Sequence, residues 1–578
     1  MPTFYEQADI EDAYLKPLRS VLLIDDQFPR YEQLANGEAL KEPDRFAMET
    51  VVRLFALCRE RGLMCDVENR AADLTGERMD HLGKSDLVVL DYHLEPKKGD
   101  DPEQALRILE HLADSAHANL AVVYTNSDDL EAVRRQIAVC LRGRVPQLDF
   151  PEEHQDVLNT WEPVFDAGVL DLYLNGDSSW KHNVQGLRGD LKAKAIPQGL
   201  HTEIIGIAIE DQIRTMLVGA GDRKKGNVET SSTGEPHRWV HCQNVFIAIT
   251  AKKGDANPID ALRDCILAWS PPPLQVLLAH ARNLLEQGGF EYERLIIGDL
   301  DRHVGWIYHA MWGEDAQTQA RVERLLDRLF SGLQKQLTAN LESVATGLLT
   351  RLTAAQAEAQ ARTEVELQHG HLARAGELAG VRGTIQTIPV LHALNSFLCS
   401  EPFSGTHLRP GTVFCTETAT PDTKWWVCVA PACDMVPRKA TDEKSWKFDL
   451  APFFPVDVLR LELDTDDAAA LQSATNCRHL FIRRGADRVT LRIADETTRL
   501  PRPETLFLPD HGTTEASKFA AYRIRTSSNP AEVSPEPLIE RIDCIAVAQL
   551  RPSYSDRVLQ EAGFQGSRVG VDFAKLSR

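Results

Sequence analysis

No stretch of this 578-residue chain approaches the roughly 18 apolar residues in a row that a membrane-spanning helix requires. Its opening residues, MPTFYEQADIEDAYLKPLRS, are acidic where a secretory signal needs a basic start and an apolar core. These two absences predict a cytoplasmic protein with no membrane partner. Excess positive charge is missing as well. Lys and Arg number 64 against 85 Asp and Glu, a formal net charge of −21, which works against any chain-wide attraction to phosphate backbones. No helix-turn-helix with a basic face is visible either, so no nucleic acid is expected as a partner. The 11 cysteines are odd in number and contain no CxxC pair, a pattern of reduced, buried thiols rather than of a disulfide framework or a zinc site.

What is present is the composition of a folded chain, 43% hydrophobic and 26% charged, long enough for about three or four domains. Between about residues 18 and 180, short apolar runs (VLLIDD, DLVVLDYHL, LAVVYTN, GVLDLYLNG) alternate with helix-like stretches (RFAMETVVRLFALCRERG, PEQALRILEHLADS). That alternation predicts βαβ units, and the continuous apolar strands predict a parallel sheet covered on both faces. Residues 186–310 read as a mixed α/β region with a polar loop at KKGNVETSSTGE. Residues 311–385 read as a helical connector, ARVERLLDRLFSGLQKQL and onward. Residues 386–578 read as a β-rich module of short strands, a compact barrel or sandwich. The expected fold class is therefore α/β: a doubly wound, flavodoxin-like parallel sheet over 1–185, followed by these three regions.

Ligands in open parallel sheets gather beyond the carboxyl ends of the strands. Asp25, Asp26 and Asp91 all fall at such ends, in SVLLIDD and DLVVLD. Three converging carboxylates repel one another unless a cation joins them, and an all-oxygen site with open positions suits Mg²⁺.

These residues resemble the CheY-like receiver domain of bacterial response regulators, over about residues 18–182. LLIDD resembles its first strand with the acidic pair, DLVVLDYHL its third, AVVYTNSDD its fourth, and AGVLDLYLNG its fifth. The resemblance implies that Asp91 takes a phosphoryl group from a histidine kinase. It also implies that Asp25, Asp26, Asp91 and the backbone carbonyl of His93 hold Mg²⁺, and that Thr125 is the switch hydroxyl. Where a receiver ends its fifth strand with a lysine this alignment has Asn175 and Gly176, leaving Lys181 as the candidate cation.

The layout also resembles receiver components of Detocs-type phage-defence two-component systems. That implies a phosphate sink, for which a missing lysine is suited, and an effector response regulator as a further partner. The alternatives are a receiver-controlled enzyme acting on a nucleotide or phosphoester through the later regions, and a non-catalytic pseudo-receiver scaffold.

Four other features have plainer readings. Asp299 and Asp301 in IIGDLDRH resemble a phosphatase motif that lacks its following residues, and predict a surface turn. Cys428 and Cys433 beside Asp434 predict buried thiols. Arg551, Arg557 and Arg568 predict a solvated helix and closing strand. GAGDRKKGN lacks Walker spacing.

Overall fold

The computed structural model describes residues 5–41, 45–70, 74, 76–94, 102–143, 163–194, 196–216, 226–253, 256–297, 300–311, 318–354, 364–379, 381, 385–417, 423–432, 434–435, 449–476, 478–495, 500–526 and 537–566. They form two compact units, 1–289 with 335–384, and 290–334 with 385–578.

The first unit is built on seven strands: β1 (Ser20–Ile24), β2 (Met64–Glu68), β3 (Leu87–Leu90), β4 (Asn119–Thr125), β5 (Val228–Thr230), β6 (Arg238–Cys242) and β7 (Val245–Ala251). Their order is β2-β1-β3-β4-β7-β6-β5. The first five in that order run parallel, and β6 and β5 add an antiparallel edge. The sequences SVLLI, LVVL and NLAVVYT are buried almost throughout, because helices cover both faces.

One face is covered by α1 (Met48–Glu60), and the other by α2 (Glu103–Asp114), α3 (Leu130–Arg142), α4 (Ala167–Leu174) and α5 (His201–Thr215). The first face is completed by α6 (Pro258–Trp269) and α7 (Pro273–Ile297). Val51, Leu54, Leu262 and Ile266 share a core with Leu23, Val89 and Val122. Ile108, Leu109, Ile137, Leu170 and Ile205 share the opposite one with Leu22, Val88 and Val123. Along α8 (Thr318–Ala354), Leu348 is buried in the first of these cores, and Arg351 holds Asp9 at 2.7 Å.

The expected fifth strand is a correction. AGVLDLYLNG is helical: Asp166 caps α4 by accepting from the amide of Val169, and Asn175 ends it. A short apolar run satisfies helix and strand patterns alike. Here Val169, Leu170 and Leu174 share one helical face in the core. The fifth parallel strand is β7, which pairs with β4 from Asn119↔Val245 to Thr125↔Ala251. Segments 1–185 and 186–310 thus both contribute to a single sheet. Residues 126–244, inserted between β4 and β7, carry α3, α4, α5 and the β5–β6 edge.

A buried ion network ties this insertion together. Arg134, fully buried on α3, donates to both carboxylate oxygens of Asp171 on α4 at 2.8 and 3.0 Å, to Thr230 Oγ1 and to the Ser231 carbonyl. Arg142 pairs with Glu210 of α5 at 2.6 Å, and Tyr173 donates to the same carboxylate.

The second unit has the expected β-rich character. Its strands are β8 (Ser400–Pro402), β9 (Thr412–Thr416), β10 (Trp425–Cys428), β11 (Phe453–Asp464), β12 (His479–Arg484), β13 (Asp487–Arg492), β14 (Arg502–Pro509), β15 (Lys518–Thr526) and β16 (Pro537–Leu550). The order β10-β9-β16-β15-β14-β11 closes through β10–β11 pairing into a six-stranded barrel.

Alternation sorts the side chains of this barrel. Phe414, Trp426, Val456, Val458, Leu506 and Leu508 fill one cluster, while Val413, Cys415, Trp425, Val427, Leu459 and Leu461 face another with β12 and β13. The long β11 serves three neighbours, pairing β14 over Phe453–Arg460, β10 over Val458–Leu461 and β13 over Glu462–Asp464. Two further helices, α9 (Thr387–Cys399) and α10 (Pro552–Gly566), bury Cys399 and Val558 in the second cluster, and Tyr554, Leu559 and Ala562 of α10 pack against it.

The remaining sequence candidates are structural where they are described. Asp301 lies exposed in the helix Leu300–Met311, and Asp299 is outside the described residues. Cys428 is fully buried, with burial pushing its thiol up to about 12, and Cys433 lies outside the described residues. Arg551 donates to the Phe397 carbonyl, Arg557 lies 3.9 Å from Glu561 one turn on, and Arg568 is outside the described residues. Of GAGDRKKGN only Gly226 and Asn227 are described, the Gly226 amide on the Arg142 carbonyl. No helix among the described residues is long and apolar enough to cross a membrane.

Candidate functional site

Four adjacent parallel strands end at one rim. β1 delivers Asp25 and Asp26, β3 delivers Asp91, β4 ends on Thr125, and β7 is followed at once by Lys252. Backbone bonds fix the relative height of these ends. The Asp25 amide donates to the Glu68 carbonyl at 3.1 Å, the Asp91 amide to Ile24 at 2.9 Å, and the Lys252 amide to Thr125 at 2.8 Å.

One ligand oxygen from each of Asp25, Asp26 and Asp91 lies within 4.8 Å of the others. Asp25 and Asp91 are buried, Asp26 is half-buried, and Thr125 is fully buried with Oγ1 accepting from the Ser127 amide at 3.3 Å. The His93 amide lies 3.5 Å from Asp91 Oδ1.

The centre of the cluster is a residue the sequence analysis did not select. Lys252 Nζ donates to Asp25 Oδ2 and Asp91 Oδ2, each at 2.7 Å, with the Phe28 ring 5.7 Å away. Lys181 stands elsewhere, on the helix Trp180–Asn183, with its amine 5.9 Å from the Trp180 ring rather than on a carboxylate. Asn175 is structural too, accepting from the Thr230 amide and donating to the Asp171 and Thr230 carbonyls. The signal for Lys252 was the run FIAITAKK, a strand ending in lysine. Residues 126–244 separate that run from the other three strand ends of the site, so nothing local in the sequence links it to them.

Three carboxylates face one ammonium, and the protonation behaviour records that imbalance. Burial raises the pKa of Asp25, and the Asp91 charge adds to this while Lys252 and the Gln27 amide oppose it. Asp26 is pushed up to about 6 by burial and by repulsion from Asp25 and Asp91. Burial disfavours the charged Lys252 amine, yet Asp25 and Asp91 outweigh it and hold the amine above its ordinary value. A crowded, all-oxygen, net-negative donor set fits a hard divalent cation such as Mg²⁺. Asp25, Asp26 and Asp91 are the side chains that would hold it.

Residues 17–169 match the family model described as the response receiver domain. The match takes in β1 to β4 and their acidic ends and stops short of β7, so the receiver domain borrows its fifth parallel strand and Lys252 from beyond the matched segment. It supports a CheY-like receiver and a phosphoacceptor role within a response regulator. No curated protein and no solved structure matches the chain.

Proposed function

We propose that the protein is a two-component response regulator in which Asp91 accepts a phosphoryl group from a histidine kinase. One carboxylate oxygen of Asp91 attacks phosphorus, the phosphorus–nitrogen bond of the donor phosphohistidine breaks, and the imidazole nitrogen keeps the electron pair. Bound at Asp25, Asp26 and Asp91, Mg²⁺ would screen the charge between anionic nucleophile and anionic donor. Lys252 supplies a fixed positive charge on the nucleophile, and Thr125 a hydroxyl at the neighbouring strand end. The His93 carbonyl is the further protein ligand this reading assigns to the ion.

The observation that carries the reading is the contact of one buried ammonium with both Asp25 and Asp91 at 2.7 Å. A cation so placed favours an active receiver over a pseudo-receiver scaffold. It also removes the reason for preferring a phosphate sink, which was the supposed absence of this lysine. An antiviral role, with an effector response regulator as partner, has only the layout of the chain in its favour.

Incubation with acetyl phosphate and Mg²⁺, followed by intact mass, tests the proposal. A single phosphate adduct is expected in the wild type and none in Asp91→Asn. An unmodified wild type, or an adduct that survives Asp91→Asn, overturns it.

A further inference from the structure

The receiver domain holds a second reactive pair, built from α1 and β2. The last turn of α1 contains Cys58, and the chain reverses through Gly62 at φ +72, a conformation that favours glycine. The Leu63 amide closes the reversal on the Cys58 carbonyl at 2.8 Å. Strand alternation then sets Leu63, Cys65 and Val67 on one face, and all three pack on the core in which Cys58 is buried. Cys65 packs against the core that holds Cys58, and each thiol acts on the other's ionisation: Cys65 lowers the pKa of Cys58, and Cys58 raises that of Cys65. Cys58 is 3% exposed and Cys65 is half-buried, so an oxidant reaches the pair from the Cys65 side.

We propose that Cys58 and Cys65 form a reversible intramolecular disulfide when the protein meets hydrogen peroxide. One sulfur, as thiolate, attacks the peroxide O–O bond and becomes a sulfenic acid while hydroxide leaves. The second thiolate attacks that sulfur, the S–S bond forms and a second hydroxide leaves. The two protons released by the thiols convert both hydroxides to water. Two thiols are oxidised by two electrons in total, and one peroxide is reduced. The bond joins the end of α1 to the edge strand β2 at the level of Val21, the partner of Cys65 in β1. The carboxylate cluster follows the other end of β1, so the pair is independent of phosphoryl acceptance.

The test is peroxide treatment of the folded, full-length protein, alkylation of remaining thiols and non-reducing tryptic mapping. The expected product is LFALCR (54–59) joined to GLMCDVENR (62–70) with the loss of two hydrogens. Dithiothreitol should separate the two, and Cys58→Ser and Cys65→Ser should each lack the product. Recovery of both wild-type peptides unlinked, either alkylated or carrying oxygen on sulfur, overturns the proposal. Because the wild type carries the decisive readout, poor folding of a variant does not obscure the result.

Discussion

Lys252 Nζ lies 2.7 Å from Asp91 Oδ2 although the two residues are 161 positions apart in the chain. The contact exists because β7 pairs with β4 in parallel register, which brings the residue after β7 to the rim where β3 ends. Replacing Lys252 by Met keeps most of the side chain's length and removes the charge. Two buried, like-charged carboxylates then face each other without a counter-ion, and losing one partner of such a set costs about 3 kcal/mol. The metal-free variant should unfold at lower urea, with Mg²⁺ recovering part of the loss. Acetyl phosphate labelling should slow on the order of a hundredfold, since a fixed positive charge on the nucleophile has gone. A variant labelled at the wild-type rate would show that Lys252 takes no part in the transfer.

The pH dependence of the metal-free protein follows from the same crowding. Asp26 is pushed up to about 6, and Asp25 is raised too. Between the ordinary carboxylate range and about pH 6, the folded state therefore binds more protons than the unfolded one, and stability falls as pH rises through that window. With EDTA present, the first unit should melt at a lower temperature at about pH 7.5 than at about pH 5. Added Mg²⁺ should raise the higher-pH midpoint, and its affinity should drop below about pH 6 as protons compete for Asp26. Thermal scans with and without Mg²⁺ across this range check both signs. A midpoint in EDTA that does not fall with pH would contradict the crowding.

The readability of the strands depended on how local their signals were. β1, β3 and β4 stand out because burial on both faces demands unbroken apolar runs, and their acidic ends are visible in the same few letters. The strand carrying Lys252 does not stand out, because no letter in FIAITAKK records that it pairs with a strand before residue 126. GVLDLYL misled for a related reason: an apolar run this short fits a buried strand and one side of a helix equally well. The Asp166 cap and the contact of Asp171 with Arg134 decide for the helix, and the second of these is again a non-local fact. In the second unit the short strands were evident, but closure of the barrel rests on β10 meeting β11 across a long connection.

Asp171 offers a test of the insertion itself. Its carboxylate takes two bonds from Arg134, and the Thr233 amide and hydroxyl donate to it at 2.7 and 2.6 Å. Asp171→Ala takes one of two counter-charges from a fully buried guanidinium, leaving it Glu131 at 3.0 Å, a loss of about 3 kcal/mol. Exchanging both residues, Arg134→Met with Asp171→Leu, should restore most of that, since two apolar groups leave no buried charge unpaired. Urea unfolding of the first unit, with single and double variants compared, measures the difference. A double variant no more stable than Asp171→Ala would mean that the neighbouring hydroxyls and carbonyls, rather than the ion pair, set the cost.

Trp426 belongs to the second unit alone. It is fully buried in the barrel, stacked on Phe414 with ring centroids 5.6 Å apart, and its indole N–H donates to Glu504 at 2.9 Å. Truncation to Ala removes the largest side chain of that core and costs about 3–5 kcal/mol, part of it from the space left behind. The Glu504 carboxylate also loses its indole donor, though Arg460 remains 3.6 Å away. Trp426 and Asp91 belong to different compact units, so the damage should stay in one of them. Trp426→Ala should shift the unfolding transition of the second unit alone and leave the acetyl phosphate adduct at Asp91 at its wild-type level. A fall in labelling at a temperature where the first unit is still folded would instead mean that barrel packing governs the receiver site.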